Sequence, residues 1–193
     1  MVEKRKKPTG AATRKTSILD TIKASDALVI LKALVSEDKS IAKRIEQIAL
    51  EYLRDVDIES VASEVYFALD SIEVEDLWDQ SGSTSYGYVE PVDRAWEMFE
   101  ESLEPFTREL NRYLDLSLHN EARDYCMGIL KGIRQFDEES TSQFKDWAED
   151  APGEFFDRIL DDWKKACKTP EHLQEMEEFI QQGLTDDDLS ETS

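Results

Sequence analysis

The sequence predicts an all-α protein, either an antiparallel helical bundle or a short α-solenoid of about seven to nine helices. Apolar residues recur at spacings of three and four along most of the chain, which is typical of amphipathic helices. No segment shows the apolar–polar alternation of a strand flanked by turn residues. Only seven glycines and five prolines occur in 193 residues, so turns are few and helices are favoured.

The pattern places a single all-helical domain over residues 18–183. Residues 1–17 lack apolar periodicity and contain Pro8 and Gly10, which predicts a disordered basic tail. Residues 184–193 are predicted to be an acidic disordered tail. Within the domain we expect three parts, which are N-terminal helices over 18–80, a loop over 81–90 and C-terminal helices over 91–183.

Three helices and a weak fourth are predicted before the loop. The segment DALVILKALV predicts a buried helix with an N-cap at Ser25 and Asp26, followed by a turn over 36–40. Three-and-four spacing continues through a second and a third helix, separated at 55–57 by DVD. Their apolar stripes are Ile41, Ile45, Ile48, Ala49 and Tyr52, then Ile58, Val61, Ala62, Val65, Ala68, Leu69 and Ile72. The segment VEDLWDQ predicts a weaker helical turn that leads into the loop.

The C-terminal part predicts four helices and one short helical segment. The first begins at Pro91, a position where proline is well tolerated, and Pro105 must kink or end it. After a turn near 117–120 a second helix carries apolar residues from Ala122 to Phe136. A short helix capped around 140–141 and a helix with Phe155 and Trp163 come next. The last helix starts at Pro170 and is predicted to end at Gly183.

Charge is unevenly distributed along the chain. Residues 1–17 carry a net charge of +5 and the remainder −26, which together give −21. A body this acidic repels phosphate backbones, so nucleic-acid binding is expected only through the tail. The basic tail is either a solubilising linker, an arm for nucleic acid or an acidic partner, or a segment that folds back on its own body. Its basic residues are Lys4, Arg5, Lys6, Lys7, Arg14 and Lys15.

The residues that usually carry catalysis or bind metals are sparse. Cys126 and Cys167 lie among apolar residues of helical patterns and are expected to be reduced core residues of a cytoplasmic protein. His119 and His172 lack a Glu three residues earlier and are expected near helix starts. No CxxC, GxSxG or HExxH motif occurs, and no apolar run is long enough to span a bilayer. We therefore expect no cofactor and no metal site, and no membrane association.

The segment SGSTSYGYVEP over 81–91 is the clearest candidate loop. Gly87 is followed by Tyr88 and not by lysine, and a helix precedes the loop, so the phosphate-binding glycine motifs do not fit. Two alternatives remain open. The loop is either a structural joint, with Tyr86 and Tyr88 lying back on the helices, or a recognition surface.

Aromatic residues supply the other candidate interaction sites. Most fall on helical stripes and are explained by core packing. Phe155 and Phe156 point about 100° apart on one helix, so one of them is a candidate anchor for a partner. With Tyr86, Tyr88 and Trp96 they form the set of candidate interaction residues.

Two family resemblances complete the sequence reading. The stretch YLDLSLHNEARDYCMGIL resembles the turn and second helix of a tetratricopeptide unit, with Tyr113 and Ala122 at the separation that this family uses. The segments LVSEDKSIAKRIEQIALEYL and AWEMFEESLEPFTRELNRYLDLSLHNEARDYCMGIL resemble helical regions that accompany SWIM-type zinc fingers in bacterial and archaeal proteins. The CxC and CxH of the finger itself are absent, so its zinc and DNA roles do not carry over. The resemblance implies a prokaryotic, cytoplasmic helical module.

These observations favour a non-catalytic helical module that binds a protein partner. A nucleic-acid-associated accessory protein that uses its basic arm ranks second. An enzyme with a site at the 81–91 loop ranks third, because no nucleophile–base pair and no metal cluster can be named for it.

Overall fold

The computed structural model describes residues 18–84 and 87–190. These residues form eight α-helices and one small antiparallel β-hairpin, so the prediction of an all-α protein is confirmed. Short 3-10 helices cover Ile18–Thr21 and Gln143–Trp147. The elements in chain order are α1 (Ala24–Glu37), α2 (Lys39–Leu53), α3 (Ile58–Asp70), α4 (Val74–Gln80), β1 (Gly82–Thr84), β2 (Gly87–Val89), α5 (Pro91–Asp115), α6 (His119–Glu139), α7 (Ala151–Ala166) and α8 (Pro170–Ser190).

The chain divides into two compact units, where the sequence pattern suggested one domain. The first unit ends at Glu51 and the second begins at Tyr52. The first contains α1 and most of α2, and the second contains the remaining helices and the hairpin.

The first unit differs from the sequence prediction in three ways. None of the residues of α1 is buried, so the prediction of a buried helix is wrong. Its N-cap is Lys23 and makes no side-chain capping bond, while the Ser25 hydroxyl donates to the Asp26 carboxylate instead. The predicted turn over 36–40 shrinks to one residue, Asp38, whose carboxylate accepts from the backbone N–H of Ser40 at 2.7 Å. Hydrogen bonding to Ser40 holds the pKa of the Asp38 carboxyl below its usual value.

Helix α6 is the centre of the second unit. It packs against α3, α5, α7 and α8. Its buried residues occupy several faces, as expected for a helix that is surrounded by others. They are Ala122, Cys126, Met127, Gly128, Ile129, Leu130, Gly132, Ile133 and Phe136.

Two glycines let α3 lie very close to α6. A Cβ on Gly128 would stand 2.6 Å from the Cβ of Val61, and a Cβ on Gly132 would stand 2.5 Å from the backbone oxygen of Ala62. Real Cβ atoms do not approach other atoms this closely. The two positions are four residues apart and share one face of α6, so together they form a flat strip against which α3 packs.

Helix α5 runs through Pro105 without ending there. The prediction allowed a kink or an end, and an end is excluded. Leu103 and Leu110 on either side are both buried. Burying these side chains stabilises the continuous helix by an amount comparable to the roughly 3 kcal/mol that an internal proline costs.

The end of α5 is a Schellman motif. The backbone N–H of Leu118 donates to the Tyr113 carbonyl at 3.0 Å, and that of Ser117 donates to the Leu114 carbonyl at 3.0 Å. Ser117 occupies the left-handed position with φ 58°, a conformation that glycine usually supplies.

Two segments that were predicted to be irregular contain regular structure. The loop over 81–90 holds β1 and β2, paired Gly82↔Val89, Ser83↔Tyr88 and Thr84↔Gly87. The segment is therefore not wholly irregular, and its pattern did not indicate this because strands of three residues are too short to show alternation. Helix α8 continues beyond its predicted end at Gly183 to Ser190.

Candidate functional site

One side of α1 is an exposed apolar surface in the first unit. At 100° per residue, seven apolar residues fall within an arc of about 160°. We call this the α1 apolar arc, and its five large side chains are 38–53% exposed. The arc consists of Ala24, Ala27, Leu28, Ile30, Leu31, Leu34 and Val35. An apolar surface of this kind marks an interaction site when it is contiguous.

The opposite side of α1 is mainly polar. It carries Lys32, Asp26 and Glu37 together with two serines. Val29 lies on this side and is 68% exposed. Val29 and Leu31 therefore lie on opposite faces of the same short helix. Substitutions at these two positions can be compared directly.

Helix α2 adds a second, weaker apolar stripe. Ile48 is 50% exposed, while Ile41, Ala42 and Ile45 are half-buried.

Among the helices of residues 18–84 and 87–190, none combines the length and the apolarity that crossing a bilayer requires.

The net charge differs strongly along the sequence. Residues 18–51 carry a net charge of −1 and residues 1–17 carry +5, whereas residues 52–193 carry −25. The apolar arc therefore belongs to a nearly neutral stretch of sequence, residues 18–51. Periodicity alone missed this surface, because it predicts an apolar face and not what covers that face.

Tyr88 is the candidate tyrosine that the structure describes in the β-hairpin. Tyr88 on β2 is 65% exposed, and it is therefore available to solvent and not held on the helices. Tyr86 lies outside the described residues. Gly82 and Gly87 at the hairpin have φ values of 79° and 132°, which glycine adopts without strain.

The candidate aromatic residues of α5 and α7 lie in different environments. Phe155 is only 3% exposed, and its ring centroid is 5.1 Å from that of Phe99 and 5.9 Å from that of Trp96. The Arg158 guanidinium lies 4.1 Å from the Phe155 ring centroid and also binds Glu100 at 2.8 Å. Phe155 is thus a covered core residue, while Trp96 is half-buried.

Phe156 lies at the edge of a groove between α6, α7 and α8. The groove encloses about 700 Å³, and its apolar wall includes Leu130, Ile133, Pro152, Phe179 and Ile180. Its rim is charged, with both signs present along α6. Of the two adjacent phenylalanines, Phe156 is half-buried and lines this groove, so it is the one that a partner could contact.

Both histidines border one cleft of about 550 Å³. His119 begins α6 and His172 lies in the first turn of α8, which confirms their expected positions at helix starts. Arg54 and Glu121 pair across the cleft at 3.6 Å, and the buried Nδ1 of His172 has no hydrogen-bond partner within the described part of the chain. No group of three or more His, Cys, Asp or Glu residues in that part could hold a metal ion.

Burial raises the pKa of a thiol and a phenol in the second unit. Cys126 is fully buried, and burial raises the pKa of its thiol. Burial likewise raises the pKa of the Tyr125 hydroxyl. Cys126 and Cys167 are both free, as predicted, and Cys167 is half-buried.

The six basic residues of the N-terminal arm lie outside the described residues.

No protein-family model, curated protein or solved structure matches the chain. The resemblances to the tetratricopeptide unit and to the helices beside SWIM-type zinc fingers stay predictions.

Proposed function

We propose that this protein is a non-catalytic helical module that binds a protein partner through the α1 apolar arc. The observation that supports this proposal is that α1 has no buried residue although most of its side chains are apolar. Helices that are this apolar are normally covered.

The local energetics of α1 also favour a partner. An isolated helix of 14 residues is marginal in water. Helix α1 has no side-chain N-cap and no basic residue in its last turn, so it lacks two devices that stabilise helix ends. Covering the arc would supply the stabilisation, since each fully buried Leu, Ile or Val contributes about 1.5–3 kcal/mol.

The chemistry of the second unit fits a binding role better than catalysis. Burial raises the pKa of its Cys126 thiol, and its two histidines share their cleft with an Arg–Glu pair. A site for nucleophilic catalysis needs a nucleophile and a base within hydrogen-bond reach. Among the described residues neither cysteine has such a partner, because Cys126 is fully buried and the Cys167 thiol donates to the Thr169 carbonyl at 3.6 Å.

A site-specific crosslinking experiment tests the proposal. A photo-reactive amino acid replaces Leu31 on the arc or, as the matched control, Val29 on the opposite face. In extracts of the source cells, we expect covalent adducts with protein from position 31 and few from position 29. Equal yields from both positions, or none from either, would argue against α1 as the docking element.

The charge of the tail supports a second candidate function. Residues 1–17 carry +5 next to a body of opposite sign, so an arm that touches nucleic acid is the alternative. Replacing the six basic residues by glutamine should then abolish binding of single- or double-stranded nucleic acid at low salt. Unchanged binding, or none by the original chain, would remove this candidate.

A further inference from the structure

We propose that the partner of the α1 apolar arc is the same arc of a second copy of this chain, packed antiparallel around a two-fold axis near Ile30. This inference rests on the function proposed above and names its partner. Three observations support it, which are the charge register along α1, the charge of the first unit and the size of the apolar surface.

The charge register of α1 is self-complementary. Lys23, the N-cap of α1, is spaced by seven residues from Ile30, and Ile30 by seven from Glu37, so the three Cα positions follow one line along the edge of the arc. Antiparallel pairing brings equivalent edges of two helices together. A two-fold axis at Ile30 therefore places Ile30 against its copy and Lys23 of each chain beside Glu37 of the other. A parallel arrangement would not make these two pairs.

The charge of the first unit allows it to meet its own copy. A two-fold contact brings identical surfaces together, so a strongly charged surface repels itself. Residues 52–193 carry −25, whereas residues 1–51 carry only +4, of which residues 18–51 contribute −1. The nearly neutral segment is where two copies can touch at the lowest electrostatic cost.

The size of the surface fits a weak, reversible dimer. A standard interface involves roughly 20–30 residues on each side. The α1 apolar arc has seven residues, with Lys23 and Glu37 at its ends, so the contact is smaller than standard and its occupancy should depend on concentration.

A lipid surface is a poorer match for the arc. Helices that lie on membranes usually carry several Lys or Arg residues on the polar face and aromatic residues on the apolar face. The polar side of α1 has Lys32 against Asp26 and Glu37, and the arc has no aromatic residue. Residues 1–17 carry +5, but the chain as a whole carries −21 and would be repelled by anionic lipid.

Sedimentation equilibrium of the full chain tests the inference. Over about 1 to 100 µM, we expect the average mass to rise from 22.2 kDa towards twice that value. Leu31→Glu should raise the dimer dissociation constant at least about 100-fold, because each copy would bury an unpaired carboxylate. Val29→Glu, the same change on the opposite face, should leave the constant within about twofold.

Charge reversal tests the antiparallel register. Lys23→Glu and Glu37→Lys should each weaken the dimer by roughly 3- to 10-fold at low salt, since two end pairs are lost. The double variant restores both pairs and should regain the affinity of the original chain. Weakening that adds up in the double variant contradicts the antiparallel register.

The remaining outcomes separate this inference from the proposed function. A chain that stays at 22.2 kDa at every concentration overturns the second-copy inference. If position 31 still forms adducts with a different protein, the proposed function survives with another partner. Binding to vesicles of anionic phospholipid that Leu31→Glu abolishes, with no dimer, would overturn both in favour of a membrane surface.

Discussion

Replacing Gly132 by alanine should destabilise the second unit, because α3 and α6 are in contact at that position. The added Cβ would lie 2.5 Å from the backbone oxygen of Ala62 and 2.6 Å from the Cβ of Val65. Neither neighbour is the end of a flexible side chain, so α3 itself must shift.

Two opposing effects set the magnitude. Overpacking a core costs about 1–3 kcal/mol, and a clash with backbone belongs in the upper part of that range. Alanine in place of glycine inside a helix returns about 1 kcal/mol. We therefore expect Gly132→Ala to lower the free energy of unfolding by about 1–2 kcal/mol.

Urea denaturation followed by tryptophan fluorescence measures this change. All four tryptophans lie in the second unit, so the signal reports that unit alone. With a slope near 2 kcal/mol/M, the midpoint should fall by about 0.5–1 M.

Gly153→Ala is the matched control. Gly153 is also helical, in the first turn of α7, but a Cβ there would meet no atom within 4 Å. The same change should leave the midpoint unaltered or raise it slightly. If both variants shift the midpoint equally, the close contact between α3 and α6 is not present in solution.

Three further substitutions test other features of the second unit. Ser117→Gly should raise the free energy of unfolding by about 0.5–1 kcal/mol in the same assay, because glycine adopts φ 58° without strain; a loss of stability would contradict the Schellman geometry. Ser140→Ala should cost about 1–2 kcal/mol, since the buried hydroxyl donates to Asp70 at 2.6 Å, and a neutral result would argue that this bond does not form. Hydrogen bonding to Arg94 lowers the pKa of Glu101, so this carboxylate stabilises the fold above its unfolded pKa and that contribution is lost as the pH falls through the folded value. Glu101→Gln should therefore lose less stability than the original chain between about pH 5 and pH 3 in urea titrations, and parallel pH profiles would contradict the pairing.

The helices of the second unit were predictable because their apolar stripes are covered within the same chain. The pattern of Val61, Val65 and Leu69 predicted α3, and all three side chains are buried. Pro105 allowed two predictions, a kink in α5 or its end, and the end was wrong. A rule based on the proline alone does not take into account the buried residues on both sides, which keep α5 continuous.

The candidate site was harder to predict. The apolar pattern of α1 correctly indicated a helix, but burial requires a covering element, and the sequence does not say whether this chain provides one. For adjacent Phe155 and Phe156 the sequence left open which one is accessible. Only packing against Phe99 and Arg158 decides that Phe155 is the covered residue.

The mass of the full chain in solution tests the central claim most directly. Sedimentation equilibrium should show a concentration-dependent dimer that Leu31→Glu abolishes and Val29→Glu preserves. A monomer at all concentrations, or a dimer that both variants weaken equally, would contradict association through the α1 apolar arc.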